Sequence, residues 1–265
     1  MNSILVAVGS SQNAQSHLQY AVDFAEQFEA KLYIVQIYNV YTMSGSMTKV
    51  DEILERDSLD FLNELVSKLD TKNVDIEVKA LKGKLIKTLN DVCSNLNIDL
   101  LLVEPRTNSD KDDVYLGKTS GKIIKQTNIP AIIVPENYVF EPIHSILFAL
   151  KSTVIQKVDA LKPLINIKEH FNASLNLLLV KTSFNKTEDF VVNNQLDSLI
   201  DHKVETENAT TYQGVLEHHQ AVNPDLLCVV RRKRGFFNKM WEKNSILKRD
   251  FYIASFPVLV LSGLK

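Results

Sequence analysis

The chain has 265 residues, 45% of them hydrophobic and 23% charged, an ordinary globular composition that excludes wholesale disorder at a length where one core gives way to two. Its 30 basic residues nearly cancel its 32 acidic ones, so no global field draws it to nucleic acid or to an anionic membrane. No apolar run reaches the ~20 residues of a membrane span, and the N-terminal residues enter a strand-like run with no basic leader. A soluble, cytoplasmic protein is the expectation. Cys93 and Cys228 stand far apart in apolar segments, outside any CxxC or His spacing; they read as buried thiols of a reducing compartment.

In chain order, a continuous apolar run at residues 4–8 predicts the first strand, and apolar positions Leu18, Ala21, Val22 and Ala25 predict a helix over 11–28. Strands at 31–37, 75–80, 99–103 and 131–134 then alternate with helices at about 50–69, 85–95 and 120–126. Short apolar runs between helical periods are the mark of parallel strands covered on both faces. The pattern is βαβαβαβαβ.

It then repeats. Ser3-Ile4-Leu5-Val6-Ala7-Val8 is echoed by Ser145-Ile146-Leu147-Phe148-Ala149-Leu150 at an offset of 142, and Phe28-Glu29-Ala30 by Phe171-Asn172-Ala173 at 143. Asp99-Leu100-Leu101-Leu102-Val103 matches Asp225-Leu226-Leu227-Cys228-Val229 at 126, and Pro130-Ala131-Ile132-Ile133-Val134 matches Pro257-Val258-Leu259-Val260-Leu261 at 127. The falling offset places a deletion of about 17 residues in the second copy, between its second and fourth strands. Two domains follow, residues 1–138 and 139–265, joined through Pro135 to Pro142. That joint is short for a free linker, so the two domains are expected to pack on each other. In the second copy a first helix over 154–171 is expected to kink at Pro163.

Ligands of such sheets bind beyond the carboxyl ends of the strands, where the strand order reverses. The segments to search are Gly9-Ser10-Ser11 and 104–120 in the first copy, and Lys151-Ser152-Thr153 and 231–245 in the second.

The ordered set Ile4-Leu5-Val6-Ala7-Val8-Gly9-Ser10-Ser11, Gly83-Lys84-Leu85-Ile86, Asp99 to Val103 and Ile129-Pro130-Ala131-Ile132-Ile133-Val134 resembles the universal stress protein family. The second copy keeps Asp225-Leu226-Leu227-Cys228-Val229-Val230 and Phe256-Pro257-Val258-Leu259-Val260. The resemblance covers nearly the whole chain. It implies two tandem Rossmann-like domains of the adenine nucleotide alpha hydrolase-like type, each a five-stranded parallel sheet of order 3-2-1-4-5 with helices on both faces. It also implies an intramolecular pseudo-dimer, admitting a further homodimer, and a stress-response role often without a catalysed reaction.

Nucleotide-binding members carry an Asp after strand one and Gly-x2-Gly-x9-Gly-Ser/Thr after strand four, where glycines let backbone N–H groups reach phosphate. Here Gly9 replaces the Asp, and the pattern aligns as Glu104-Pro105-Arg106-Thr107, nine residues, then Gly117-Lys118. The second copy reads Arg231-Arg232-Lys233-Arg234, nine residues, then Asn244-Ser245, with Lys151 for the Asp. The motif is degenerate twice over. The candidate ligand-loop positions are Gly9, Ser10, Gly117, Lys118, Thr119, Lys151, Arg231, Arg234 and Ser245, for ATP or for a small anion.

Leu116-Gly117-Lys118-Thr119 imitates a P-loop, but Asp112 occupies the first glycine position. What remains is a helix-start anion site, weighed against a plain capped helix. Arg231 to Arg234 form the densest basic cluster; an anion pocket suits guanidinium forks, and a solvated loop is the simpler reading. Phe236, Phe237 and Trp241 beside it have helical spacing, which fits packing better than base stacking. His218-His219 are adjacent on a helix and make a poor metal pair, and Asp112-Asp113 and Glu188-Asp189 read as surface charge. No catalytic set falls at the ligand loops, so a non-enzymatic protein acting through a small ligand or a protein partner leads, with an ATP-binding sensor as the rival.

Overall fold

The computed structural model describes residues 1–9, 11–39, 47–105, 118–154, 158–182, 190, 194–231 and 256–261. They fall into two compact units, the first built from residues 1–105 and 122–140, the second from 141 onward together with 118–121, so that the helix over 118–126, taken below with the first unit, spans the division.

The first unit runs β1 (Ser3–Ala7), α1 (Ala14–Gln27), β2 (Lys31–Tyr38), α2 (Met47–Val66), β3 (Ile76–Lys82), α3 (Leu85–Asn95), β4 (Leu100–Val103), α4 (Lys118–Gln126) and β5 (Ala131–Ile133). Its strands lie in the order β3-β2-β1-β4-β5, and the pairs are parallel: Ser3 faces Lys31, Ile4 faces Leu100 and Leu101 faces Ala131. Ile4, Leu5, Val6, Leu32, Ile34, Val35 and Ile132 are fully buried, which is why these strands read as unbroken apolar runs. On α1 the buried face is Leu18, Tyr20, Ala21, Val22, Phe24 and Ala25. Beyond β5 the chain turns at Asn137, whose φ is 56°, and lays Tyr138 and Phe140 edge-on against Tyr20 at ring separations of 6.0 and 5.7 Å. Phe140 also meets Phe24 at 5.9 Å. The segment expected to join two domains is thus part of the packing of the first.

The second unit runs β6 (Ser145–Leu150), a 3-10 turn (Val158–Leu161), α5 (Lys162–Phe171), β7 (Ser174–Lys181), α6 (Asn194–Asp197), β8 (His202–Glu207), α7 (Thr211–Val222), β9 (Leu226–Val230) and β10 (Val258–Leu261). The order β8-β7-β6-β9-β10 repeats 3-2-1-4-5, again with parallel pairs. Thr210 caps α7, its hydroxyl accepting the Gln213 N–H at 3.2 Å, and Asn172 and Asn223 close α5 and α7 in the left-handed conformation.

Two expectations change. Pro163 does not kink a long helix; it stands at the first turn of α5, where its missing N–H would have had no partner. The deletion also narrows. Between Tyr38 and Ile76 lie 37 residues, between Lys181 and His202 only 20, so the missing 17 all belong to the crossover from the second strand to the third. The first unit fills that crossover with the 20-residue α2. In the second, the described part holds the four-residue α6, and β8 is exposed along almost its whole length.

Candidate functional site

At the carboxyl ends of the strands, the first unit presents Gly9 after β1 and Glu104 after β4. The Val8 N–H donates to the Val35 carbonyl at 2.8 Å, carrying the ladder one residue past β1. Ser11 turns the chain into α1 by accepting the Asn13 N–H at 3.1 Å. Glu104 is half-buried, and its Oε2 is out of solvent. Lys118 is the first residue of α4, and Thr119 and the buried Ser120 complete its opening turn. The helix expected over 120–126 begins two residues earlier, at Lys118.

His17 is the residue that the sequence does not advertise. It lies one turn before Ala21 on the buried face of α1, 8% exposed. Among the described residues neither ring nitrogen has a hydrogen-bond partner. Burial pushes its pKa down to about 4, so the ring is neutral at pH 7. The Leu102 backbone offsets part of that depression. A histidine in a run of helical period looks like any other face position; only its neighbours reveal the cost.

The second unit places Lys151 after β6 and Arg231 after β9. Arg231 is held by its own backbone, the N–H donating to the Leu261 carbonyl at 2.9 Å, and burial lowers the pKa of its guanidinium. Ser152 and Thr153, next to Lys151, are 2% and 1% exposed. The strand registers correct the motif alignment. Val6 pairs with Leu102 and Phe148 with Cys228, so three residues further on Gly9 and Pro105 stand where the second unit has Lys151 and Arg231. Glu104 corresponds to Val230, not to Arg231. The extra residue that makes the offset 127 at the fifth strand enters after β9, beyond the reach of a match on strands.

Ser10, Gly117, Arg234 and Ser245 lie outside the described residues, as do Asp112-Asp113, Glu188-Asp189 and the Phe236 to Trp241 segment. His218 and His219 turn their Nδ1 atoms to the Gly214 and Leu216 carbonyls of their own helix at 2.8 and 2.9 Å. Among the described residues no group of His, Cys, Asp or Glu is arranged to hold a metal, and no described helix is long and apolar enough to cross a membrane. Both cysteines are buried; burial pushes the Cys93 thiol up to about 12 and Cys228 well above its ordinary value.

At the described strand ends the residues depart from the nucleotide pattern that the sequence resemblance implies: Glu104 follows β4 where that pattern has its first glycine, and Lys151 follows β6 where it has an Asp.

A parallel sheet of order 3-2-1-4-5, built twice along one chain, defines a tandem Rossmann-like α/β protein with a ligand edge at each order reversal. The model of the universal stress protein family matches residues 1–135. The chain belongs to that family, and its membership supports a role in stress response. Among solved structures, a universal stress protein from Archaeoglobus fulgidus DSM 4304 superposes with a TM-score of 0.74 at 18% identity, 98% of each chain covered. A universal stress protein from Pseudomonas aeruginosa UCBPP-PA14 reaches 0.56 at 13% identity over 98% of this chain and 93% of that one. A functionally unknown protein from Pseudomonas aeruginosa PAO1 reaches 0.59 at 12% identity over 98% and 92%. At these identities the likeness concerns the fold across the whole chain. No curated protein matches the chain in sequence.

Proposed function

We propose that this chain is a non-catalytic, cytoplasmic stress-response protein that works by binding a small ligand or a protein partner at its strand edges, without turning a substrate over. The observation that carries this reading is Glu104. It is half-buried at the end of β4, where the family's nucleotide-binding pattern has its first glycine, and a carboxylate at that point would repel phosphate. The buried, high-pKa cysteines supply no thiolate nucleophile. The test is to incubate the full chain with Mg-ATP and measure released phosphate. Turnover above the buffer rate that disappears on a substitution at either strand edge would refute the reading; its absence, with a folded chain, supports it.

A second reading is an ATP-binding sensor. Lys118 and Thr119 favour it, because they open the nine-residue helix that is the next described element after β4. Saturable Mg-ATP binding that Lys118→Ala abolishes would select it.

A further inference from the structure

β3 is the outermost strand of the first unit, and two bonds at its ends fix which of its backbone groups face outward. The Leu32 N–H donates to the Asp75 carbonyl and the Gly83 N–H to the Tyr38 carbonyl, each at 2.9 Å. The odd-numbered residues over 75–83 therefore turn their backbone toward β2, and Ile76, Val78 and Ala80 turn theirs away from the sheet. Lys82 reaches Asp51 on α2, so the side chains that share its face, those of Ile76, Val78 and Ala80, also lie on the α2 side. All three are only half-buried beneath that helix. α2 covers the face of β3 and leaves its edge open.

The rotation of α2 shows what stands over that edge. Ser58 and Leu62 are buried against the sheet, and Asp51 stands over β3. Glu55 lies toward β2, where, next after burial, its charge raises the pKa of the Tyr38 phenol. At about 100° per residue, the rows met on turning from Glu55 through Asp51 and onward are Leu54 with Phe61, then Val50 with Asp57 and Glu64. Leu54 and Phe61 are half-buried, Val50 is 41% exposed, and Asp57 and Glu64 are exposed. The flank is apolar next to the strand and acidic above it.

This pattern selects its occupant. α2 carries six acidic residues against two basic ones, so a second copy would set acid against acid. The carboxylates have only solvated local partners, Arg56 at 3.5 Å from Asp57 and Lys68 at 2.6 Å from Glu64, which a better placed cation displaces at little cost. A lysine or arginine side chain lays its apolar stem along Leu54 and Phe61 and carries its charge up to Asp57 and Glu64. On the far face of β3, Glu77 and Lys79 pair with each other and set no preference for charge.

We propose that the outer edge of β3, under the flank of α2, is a docking surface for an extended basic segment of another protein, added as a further strand with lysine or arginine at alternate positions. The inference deepens the protein-partner side of the reading above and lies along a strand, away from the strand ends.

The probe is an amidated heptapeptide with lysine at alternate positions and threonine between, capped with fluorescein and titrated with the full chain by fluorescence anisotropy. The expected result is saturable binding with a dissociation constant below about 1 mM, and none for the same peptide with glutamate in place of lysine. Asp57→Lys together with Glu64→Lys should weaken binding by about tenfold or more. Asp91→Lys together with Glu169→Lys makes the same change of net charge at exposed positions of α3 and α5 and should leave the affinity within about twofold. Because the strand edge supplies backbone bonds, N-methylation of every second peptide amide should abolish binding in one of its two phases and spare it in the other. That arm uses the wild-type chain, so a variant that fails to fold leaves the test intact. No saturable binding, equal binding of the glutamate peptide, equal loss in the remote double variant, or binding kept by both methylated peptides would each overturn the surface. Phosphate release from Mg-ATP would sink the non-catalytic reading and leave this surface standing; silence toward the lysine peptide without turnover does the reverse.

Discussion

Asp99 and Asp225 hold the same post in the two units. Oδ2 of Asp99 accepts the N–H groups of Asn2 and Ser3 at 2.6 and 3.2 Å, and Oδ2 of Asp225 accepts those of His144 and Ser145 at 2.7 and 2.9 Å. Each aspartate also donates its own N–H to the first residue of the neighbouring strand, Ser3 or Ser145, at 2.9 Å. A carboxylate thus clamps the start of the central strand to the strand beside it. Bonds from N–H to a charged acceptor are worth roughly 1.5–3 kcal/mol when well shielded, and these are partly solvated. Asp99→Ala and Asp225→Ala should each cost about 1–2 kcal/mol in urea unfolding, and Asn, which keeps one acceptor, should cost less. Equal midpoints for wild type and Ala variants would show the clamps to be incidental.

His17 gives the chain an acid-sensitive spot. Its folded pKa is about 4 against 6.5 for an unhindered histidine, so between those values the unfolded chain binds a proton that the native one refuses. Stability therefore falls as the pH drops from about 6.5 to about 4, and this group adds no further loss below. The depression corresponds to roughly 3 kcal/mol across that window. His17→Leu, which fills the space without a proton to bind, should flatten the stability-versus-pH curve between pH 7 and 4 in equilibrium denaturation. A curve as steep as the wild type would mean that His17 is not the titrating group.

How far the sequence shows all this depends on the interaction. Strands buried on both faces announce themselves as apolar runs, which is why residues 99–103 read as a strand that the structure places at Leu100–Val103. The deletion reads correctly in size from offsets alone. What escapes is whatever depends on register: a one-residue insertion after β9 slides the phosphate-motif alignment, and only the Phe148–Cys228 pair reveals that Arg231 matches Pro105. Pro163 escapes for another reason, since a helix start and a helix interior look alike until the preceding turn is seen. His17 carries no sequence signal at all, because lack of a partner is a property of the neighbours.

Gly83 should not tolerate a side chain. Its φ is 148°, a region closed to L-residues, and an added Cβ would collide with the Thr88 hydroxyl. Its N–H donates to the Tyr38 carbonyl at 2.9 Å, so the backbone cannot rotate away without losing the bond that ties the β3–α3 turn to β2. Gly83→Ala should destabilise the chain by roughly 1–3 kcal/mol. Thr88→Ala should recover only the part due to the collision, because the φ penalty stays. Full recovery in the double variant, measured by thermal unfolding, would locate the whole cost in the contact.

The exposed strand β8 carries paired charges. Glu205 bridges Lys181 and Lys203, each at 2.8 Å, and these two lysines hold its carboxyl down to about 2. Because the groups are more than a third exposed, salt and water screen the pairs and little folding stability follows from them. Their effect lies elsewhere: an edge strand offers unpaired backbone groups to any other strand, and like-charged copies meeting edge to edge repel. The covered sheet edge of the first unit has the same arrangement, with Lys31 on Glu77 at 2.9 Å and Lys79 on its other oxygen. In the second unit β8 is exposed from His202 to Glu205, and the described part of its crossover holds the four-residue α6. Replacing Lys203 and Glu205 together by Val and Thr leaves the formal net charge unchanged and converts the edge to a sticky strand. Light scattering should then show concentration-dependent assembly of a chain whose unfolding midpoint has hardly moved. An unchanged mass at every concentration would mean that something other than these charges guards the edge.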